Sequence, residues 1–345
     1  MTNSVIQFMA RFSSLFLVAL LFSCSDSVET RKQRFLIQGN EMITVRNAVQ
    51  AELFFQEAIK LDSCFVDALN NLGTLYYSDK KYEQALSLYN HAVDCDPKII
   101  GTYFNRANAF YELNEMYSAL NDLDVVATRK PDTSVLFFSR GLIYTKLREY
   151  DEAIVNFKKV LIKDKDNLDV LINLGTIYFY QKKFDSARVL IDEAIQRNPK
   201  ESVAYNTLAM IDMEQEKYET AMHSINEALR LLPNDPFYLN NRGYIYLMTN
   251  EFDKALSDIN ESISLDPYNG WAYRNKGIYY LKMNEPTDAI RMLEQAVGLD
   301  PYIDEVHTYL SEAYLHGKEY DKACKAYQKA IENKERAITS MKPCK

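Results

Sequence analysis

Histidine, glycine, proline and tryptophan are all scarce in this chain of 345 residues, which has four His, ten Gly, nine Pro and one Trp. The scarcity excludes several chemistries. His91, His223, His307 and His316 include no pair at the i, i+4 spacing of a helical metal site, and no Cys is read as completing one with any of them. Each is therefore assigned to a solvated helix surface. No glycine-rich loop is present to cradle a phosphate, and no G-x-S-x-G turn to hold a nucleophile. Asp164, Asp166 and Asp169 lack the glycine and terminal glutamate of a calcium loop, which leaves a solvated inter-helix loop. With no convergent acid, base or nucleophile, the chain is read as a non-enzyme without cofactor or metal. Positive charge is short too: 40 Lys+Arg stand against 48 Asp+Glu, for a net charge of −8. No basic stripe is available for nucleic acid, so a nucleic-acid partner is not expected.

What is present is a period. Nine alanines recur every 34 residues without slippage: Ala51, Ala85, Ala119, Ala153, Ala187, Ala221, Ala255, Ala289 and Ala323. Twelve residues before each stands a small residue, and six of the ten glycines (Gly39, Gly73, Gly141, Gly175, Gly243 and Gly277) occupy that slot, with Ala107, Ala209 and Ser311 in the others. Aromatic residues such as Tyr76, Phe110, Tyr144, Tyr178, Tyr246, Tyr280 and Tyr314 follow three positions later. Pro97, Pro131, Pro199, Pro233, Pro267 and Pro301 close six units. Residues three and four apart share a helix face. In the second unit Leu69, Leu72, Gly73 and Tyr76 thus line one helix, and Tyr82, Ala85, Tyr89 and Ala92 a second. The small slots let two axes approach, and the pairs Asp96-Pro97, Asn198-Pro199, Asp266-Pro267 and Asp300-Pro301 end second helices. Each unit is expected to be an αα-hairpin of two helices of about 14 residues.

These slots resemble the tetratricopeptide repeat family over residues 32–337, in units starting near 32, 66, 100, 134, 168, 202, 236, 270 and 304. The expected fold is all-α: a right-handed α-solenoid of about nine 34-residue helix-turn-helix repeats. The resemblance implies roughly one superhelical turn for that many units. Departures are local. Ser63, Lys165 and Glu335 stand where proline is usual, Asp212 replaces an aromatic, Pro286 opens a second helix, and Gln38 and Met42 mark the first unit as a degenerate cap. The charged stretch from Lys318 to about Ser340 is read as the last helix running on to cover the end of the stack, with residues 338–345 as a tail.

The N-terminus differs. Arg11 precedes an apolar run from Phe12 to Phe22, interrupted by Ser13 and Ser14, and Leu21-Phe22-Ser23-Cys24 follows. The run is too short to span a bilayer and reads as an export signal over residues 1–23, with Met9 as an alternative start. Its ending resembles a bacterial lipobox, which implies lipidation at Cys24 and a short tether over residues 24–31. Ser25 after the cysteine resembles an outer-membrane address in a Gram-negative bacterium. Cys64, Cys95, Cys324 and Cys344 remain. An exported protein permits disulfides, and Cys64 with Cys95, or Cys324 with Cys344, could pair. Four separate thiols are the expectation.

Function is therefore sought in a surface. In the family resembled, first helices line a binding groove through slots two, five, six, nine and twelve. Those slots give Asn71, Phe104, Asn105, Asn108, Tyr111, Phe138, Asn173, Phe179, Phe237, Asn241, Tyr244, Trp271, Arg274 and Asn275 as candidate partner contacts. Exposed rings with amides between them suit a protein or extended peptide. Burial between first helices, or local capping by the asparagines, is the other reading of the same set. Slot five carries Asn70, Phe104, Phe138, Ile172, Asn206, Asn240, Arg274 and Thr308 but no Lys, so a Lys-Asn-Arg clamp for C-terminal carboxylates is not expected. The expected role is a membrane-anchored protein- or peptide-binding scaffold in an outer-membrane assembly or secretion complex. A periplasmic scaffold for cell-wall enzymes is the alternative, and an enzyme hidden in the folded groove a third. Sequence leaves the oligomeric state open.

Overall fold

The computed structural model describes residues 26–336 and residue 344. The export signal and the lipidation site Cys24 lie outside the described residues. Among those described, every regular element is an α-helix, and the helices come in pairs of one period each. The chain divides into two bodies, one up to Lys163 and one from Asp164 on. The first body holds the pairs α1 (Val28–Thr44) with α2 (Ala48–Leu61), α3 (Val66–Ser78) with α4 (Tyr82–Cys95), α5 (Ile100–Glu112) with α6 (Met116–Arg129), and α7 (Ser134–Lys146) with α8 (Tyr150–Lys163). The second holds α9 (Leu168–Tyr180) with α10 (Phe184–Arg197), α11 (Ser202–Glu214) with α12 (Tyr218–Leu231), α13 (Pro236–Met248) with α14 (Phe252–Leu265), α15 (Gly270–Lys282) with α16 (Pro286–Leu299), and α17 (Val306–His316) with α18 (Tyr320–Glu332).

All nine period alanines are fully buried. They sit where the second helix of a pair crosses the first, and the small slot twelve residues earlier sits opposite a large side chain of the second helix. A Cβ placed on Gly73 would lie 2.5 Å from the Tyr89 ring, and one on Gly141 2.6 Å from the Phe157 ring. Glycine is thus required there for contact, not for backbone freedom: the ring fills the space a methyl would take.

The turn within each pair carries a residue at positive φ: Arg46, Lys80, Asn114, Arg148, Lys182, Glu216, Asn250, Asn284 and Lys318, each one period from the next. None is glycine. Each turn closes with paired backbone bonds, as in Lys80 N–H to the Tyr77 carbonyl (3.0 Å) and Lys81 N–H to the Tyr76 carbonyl (2.9 Å). At four of the six units closed by proline, the turn to the next pair is held by the Asp or Asn before it. Asp96, Asp266, Asp300 and Asn198 each accept the N–H two residues on. Asp62 does the same for Cys64 at 3.0 Å although Ser63 replaces the proline, so the turn survives its loss. Pro286 takes the first position of α16, where no N–H is needed. Asp212, in place of an aromatic, is buried and paired with Arg188.

Three expectations need correction. The tether is shorter than residues 24–31, because Ser27 caps α1 by accepting the Thr30 N–H, so residues 28–31 are already helical. The last helix ends at Glu332, and Glu335 then turns back so that its carboxylate accepts the Thr308 N–H at 2.9 Å and caps α17; residues 337–343 lie outside the described residues. The four cysteines are not separate thiols: Cys64 is bonded to Cys95 and Cys324 to Cys344. The edge position shared by Cys64 and Cys95 at two successive unit ends puts their Cα atoms 5.4 Å apart, within bridging range. Each bridge contributes on the order of 3 kcal/mol by restricting the unfolded chain.

Candidate partner-binding face

Within each body the first helices of successive pairs touch one another, α5 and α7 through the core that holds Ala107, Leu136 and Ile143, so they form a layer of their own. Every candidate contact residue lies on that layer, on α3, α5, α7, α9, α13 and α15. The layer treats them in three ways.

In the first body, α3, α5 and α7 meet around a recess of about 130 Å³ lined by Tyr77, Asn108, Tyr111, Glu112, Ser139 and Leu142, with Ala107, Leu123 and Ile143 beneath. Asn108 and Tyr111 are among the candidate contacts; Tyr77, Ser139 and Leu142 stand at slots twelve, six and nine of their own units but are not among them. Tyr111 rests against the core of α5–α7, with the Lys146 ammonium 4.9 Å from its ring centre. The Tyr77 hydroxyl donates to Glu112 (3.3 Å), and burial together with that carboxylate pushes its pKa up to about 12. The recess therefore offers hydroxyls, one amide and apolar walls, with the Glu112 carboxylate bonded by Tyr77 at its edge. Phe104 is half-buried on the same core, beside the half-buried Asn105. Phe138 packs edge-on against Phe157 at 5.8 Å. Asn71 donates to Asn40 of the preceding pair at 2.7 Å.

In the second body the amides bond one another. Asn275 donates to Asn240 (2.8 Å), Asn240 to Asn241 (3.3 Å) and Asn241 to Asn206 (2.8 Å). Arg274 joins the series by donating to Asn275 at 3.0 Å, and its other amino group meets Glu305 at 3.1 Å. Asn275 is 2% exposed and Arg274 6%. Tyr309, Tyr244 and Trp271 surround the guanidinium at 5.1, 5.4 and 5.6 Å. Burial holds the Tyr309 phenol well above its ordinary range, so that ring stays neutral beside the cation. Arg274 and Asn275 are thus internal groups of the stack, not exposed partner contacts: both are buried and bonded to Glu305 and Asn240 of neighbouring pairs, with only the Arg274 Nε left without a partner. Tyr244 and Trp271 are half-buried around them.

The remaining candidates are local. Asn173 donates to the Asp169 carbonyl of its own helix, at 2.8 Å. Phe179 packs on Phe184 at 6.0 Å. Phe237 is the most open ring, 48% exposed at the start of α13, where Asp235 accepts its N–H.

Sequence reading missed two ionic devices. Arg106 makes a two-pronged contact with Asp122 (2.7 Å for both bonds) and also reaches Asn90; Arg242 repeats it with Asp258 (2.7 and 3.0 Å) and Asn226. The signal was available, since the two sets stand four periods apart. It also missed that His91 and Cys95 share i, i+4 spacing on α4.

Tetratricopeptide repeat models match residues 66–99, 144–211, 202–235, 236–269 and 274–338. The chain is a tetratricopeptide repeat protein. No curated protein matches it. Solved structures share the fold at low identity. A chain of the APC/C hetero-tetramer Cut9–Hcn1 is 18% identical with a TM-score of 0.62, over 92% of this chain and 63% of that one. This repeat protein therefore spans less than two thirds of that chain. PilF of Pseudomonas aeruginosa is 18% identical with a TM-score of 0.51, over 62% of this chain and 97% of that one. A tetratricopeptide repeat protein from Parabacteroides merdae is 20% identical with a TM-score of 0.41, covering 82% of this chain and 98% of that one.

Proposed function

We propose that this protein is a lipid-anchored, non-enzymatic scaffold that holds an extended segment of a protein partner against its first-helix layer, within an outer-membrane assembly or secretion complex. The observation that carries the binding reading is the recess across α3, α5 and α7. It spans three consecutive repeats and contains a half-buried amide, Asn108, with no hydrogen bond to another described residue. An amide beside rings and apolar walls suits a peptide backbone, because it offers both donor and acceptor without demanding a particular side chain. Anchoring rests on the Leu21-Phe22-Ser23-Cys24 ending and Ser25. No helix among the described residues is long and apolar enough to cross a membrane. A lipid would keep the scaffold and its partner on one surface, where modest affinity suffices.

The test is cross-linked capture from native membranes, comparing the intact chain with Asn108→Arg, which fills the recess. Partners held by the first and lost by the second, with helicity unchanged, support the proposal. Membrane barrels or secretion components among them support the assembly role, and cell-wall enzymes would replace it with the periplasmic alternative. Equal capture by both proteins rejects the recess as the binding site. Labelled fatty acid retained by Cys24→Ser rejects the anchor.

A further inference from the structure

At the edge of the first body, the sulfur atoms of Cys64 and Cys95 and a ring nitrogen of His91 all lie within 4.8 Å of one another. Among the described residues this is the group of three or more potential ligands that could close on one ion. Two sulfurs and an imidazole are a soft donor set, suited to Zn(II) or Cu(I) and poorly suited to calcium or magnesium. The bridge between the two cysteines occupies both sulfurs. We propose that this cluster is a thiol-gated metal site: as a disulfide it joins two repeats, and as a dithiol it binds a thiophilic d10 cation through Cys64, Cys95 and His91.

The three ligands are positioned by elements other than the bridge. His91 and Cys95 are one turn apart on α4, so they project from the same helix face. Cys64 is fixed by its loop, where its N–H is bonded to Asp62 at 3.0 Å and the other Asp62 oxygen is paired with Lys32 at 2.6 Å. Phe65, the next residue, is buried. Opening the bridge therefore leaves both sulfurs near the imidazole. Cys64 and His91 are exposed, so a reductant and an ion can both reach the cluster.

The chemistry balances with a dithiol reductant. One of its thiolates attacks a bridge sulfur to form a mixed disulfide, and its second thiolate releases the protein thiol. The chain gains two electrons and two protons, and the reductant leaves as its own disulfide. Cation binding then displaces the two thiol protons to solvent, while the neutral imidazole gives a ring lone pair. Three protein ligands leave a fourth position for water or a further donor.

The test uses the full chain, reduced in oxygen-free buffer, with Zn(II) as the probe. Alkylation is followed at each cysteine separately by peptide mass spectrometry. Zn(II) is expected to slow modification of Cys64 and Cys95 by at least about tenfold while leaving Cys324 and Cys344 unprotected, and the oxidised chain should retain no Zn(II). His91→Ala, an exposed change that leaves the core alone, should remove most of that protection, since losing a ligand costs at least what losing an outer partner does. No slowing at Cys64 and Cys95 would overturn the proposal. So would equal slowing at Cys324 and Cys344, or undiminished protection in His91→Ala. A reduced chain whose first repeats unravel with or without Zn(II) would overturn it too, because the site requires α2, α3 and α4 to keep their places.

Discussion

In the first body the amides of the first helices act separately: Asn71 bonds Asn40, Asn70 bonds Thr102, and Asn108 opens into a recess. In the second body Asn206, Asn241, Asn240 and Asn275 form one relay that ends on Arg274 and Glu305. The repeat is the same, and slots five and six carry asparagines in both bodies, with Asn108 at slot nine. What differs is the neighbour. Asn241 and Asn275 each find an asparagine 35 positions earlier that accepts their amide. Asn105 has Asn70 at that distance, yet Asn70 donates to Thr102 and its Oδ1 is left buried without a partner. Whether a slot-six asparagine joins an internal relay therefore depends on what the slot-five asparagine of the preceding repeat bonds, and its own identity does not decide.

The comparison is broken most directly at Arg274. Arg274→Ala should destabilise the second body by about 4 kcal/mol, because it strands Glu305 and empties the space between three rings. Hydrogen exchange resolved by helix should show α13, α15 and α17 losing protection while α3, α5 and α7 keep theirs. Equal losses in both bodies would mean that the relay is not a local device.

The packing of glycine under a large side chain should be common to both bodies. Gly141→Ala places a methyl 2.6 Å from the Phe157 ring, and Gly277→Ala places one 2.5 Å from Leu293. Overpacking should cost about 2 to 3 kcal/mol in the first body and somewhat less in the second, where a leucine can change rotamer more readily than a ring. Denaturant midpoints of the two variants check both the cost and its order.

Asn275→Ala and Asn108→Ala set stability against binding. The first should cost about 2 kcal/mol by leaving Arg274 and Asn240 short of a partner, with capture of the protein partner intact. The second should change stability by less than about 0.5 kcal/mol and weaken capture. Thermal melts beside pull-down yields read the two effects separately, and the reverse pattern would exchange the roles assigned to the two bodies.

The nine buried alanines and the glycine slot were legible in sequence because a strict period averages over nine copies of one contact. The helix pairs followed from them. The site was legible only to the level of which helices carry it. Whether Arg274 or Asn275 is exposed depends on Glu305, Tyr309 and Asn240, which stand 31 to 35 residues away on neighbouring repeats, and no single unit displays that. The bridges were hidden for a related reason. Cys64 and Cys95 mark the ends of successive units, and only the inter-repeat distance of 5.4 Å decides that they pair. The left-handed turn positions were in the period too, but Arg, Lys, Asn and Glu fill them interchangeably, so residue type gives no signal.

Those turns supply the finest comparison. Lys80 in the first body has φ 59° and Asn250 in the second has φ 62°, in the same slot. A side chain with a Cβ is strained there by about 1 to 2 kcal/mol, and asparagine least of all because its short amide bonds locally. Glycine removes the strain but frees the unfolded chain, which offsets part of the gain. Lys80→Gly should therefore stabilise the first body by about 0.5 to 1 kcal/mol, and Asn250→Gly should leave the second nearly unchanged. Lys80 is exposed and its N–H bond to the Tyr77 carbonyl does not involve the side chain, so no other interaction competes with the backbone effect. Equal gains in the two variants would show that asparagine has no advantage in this turn. A loss at Lys80→Gly would show that the unfolded-state entropy outweighs the strain, and that the repeat tolerates any residue here because the paired backbone bonds alone hold the turn.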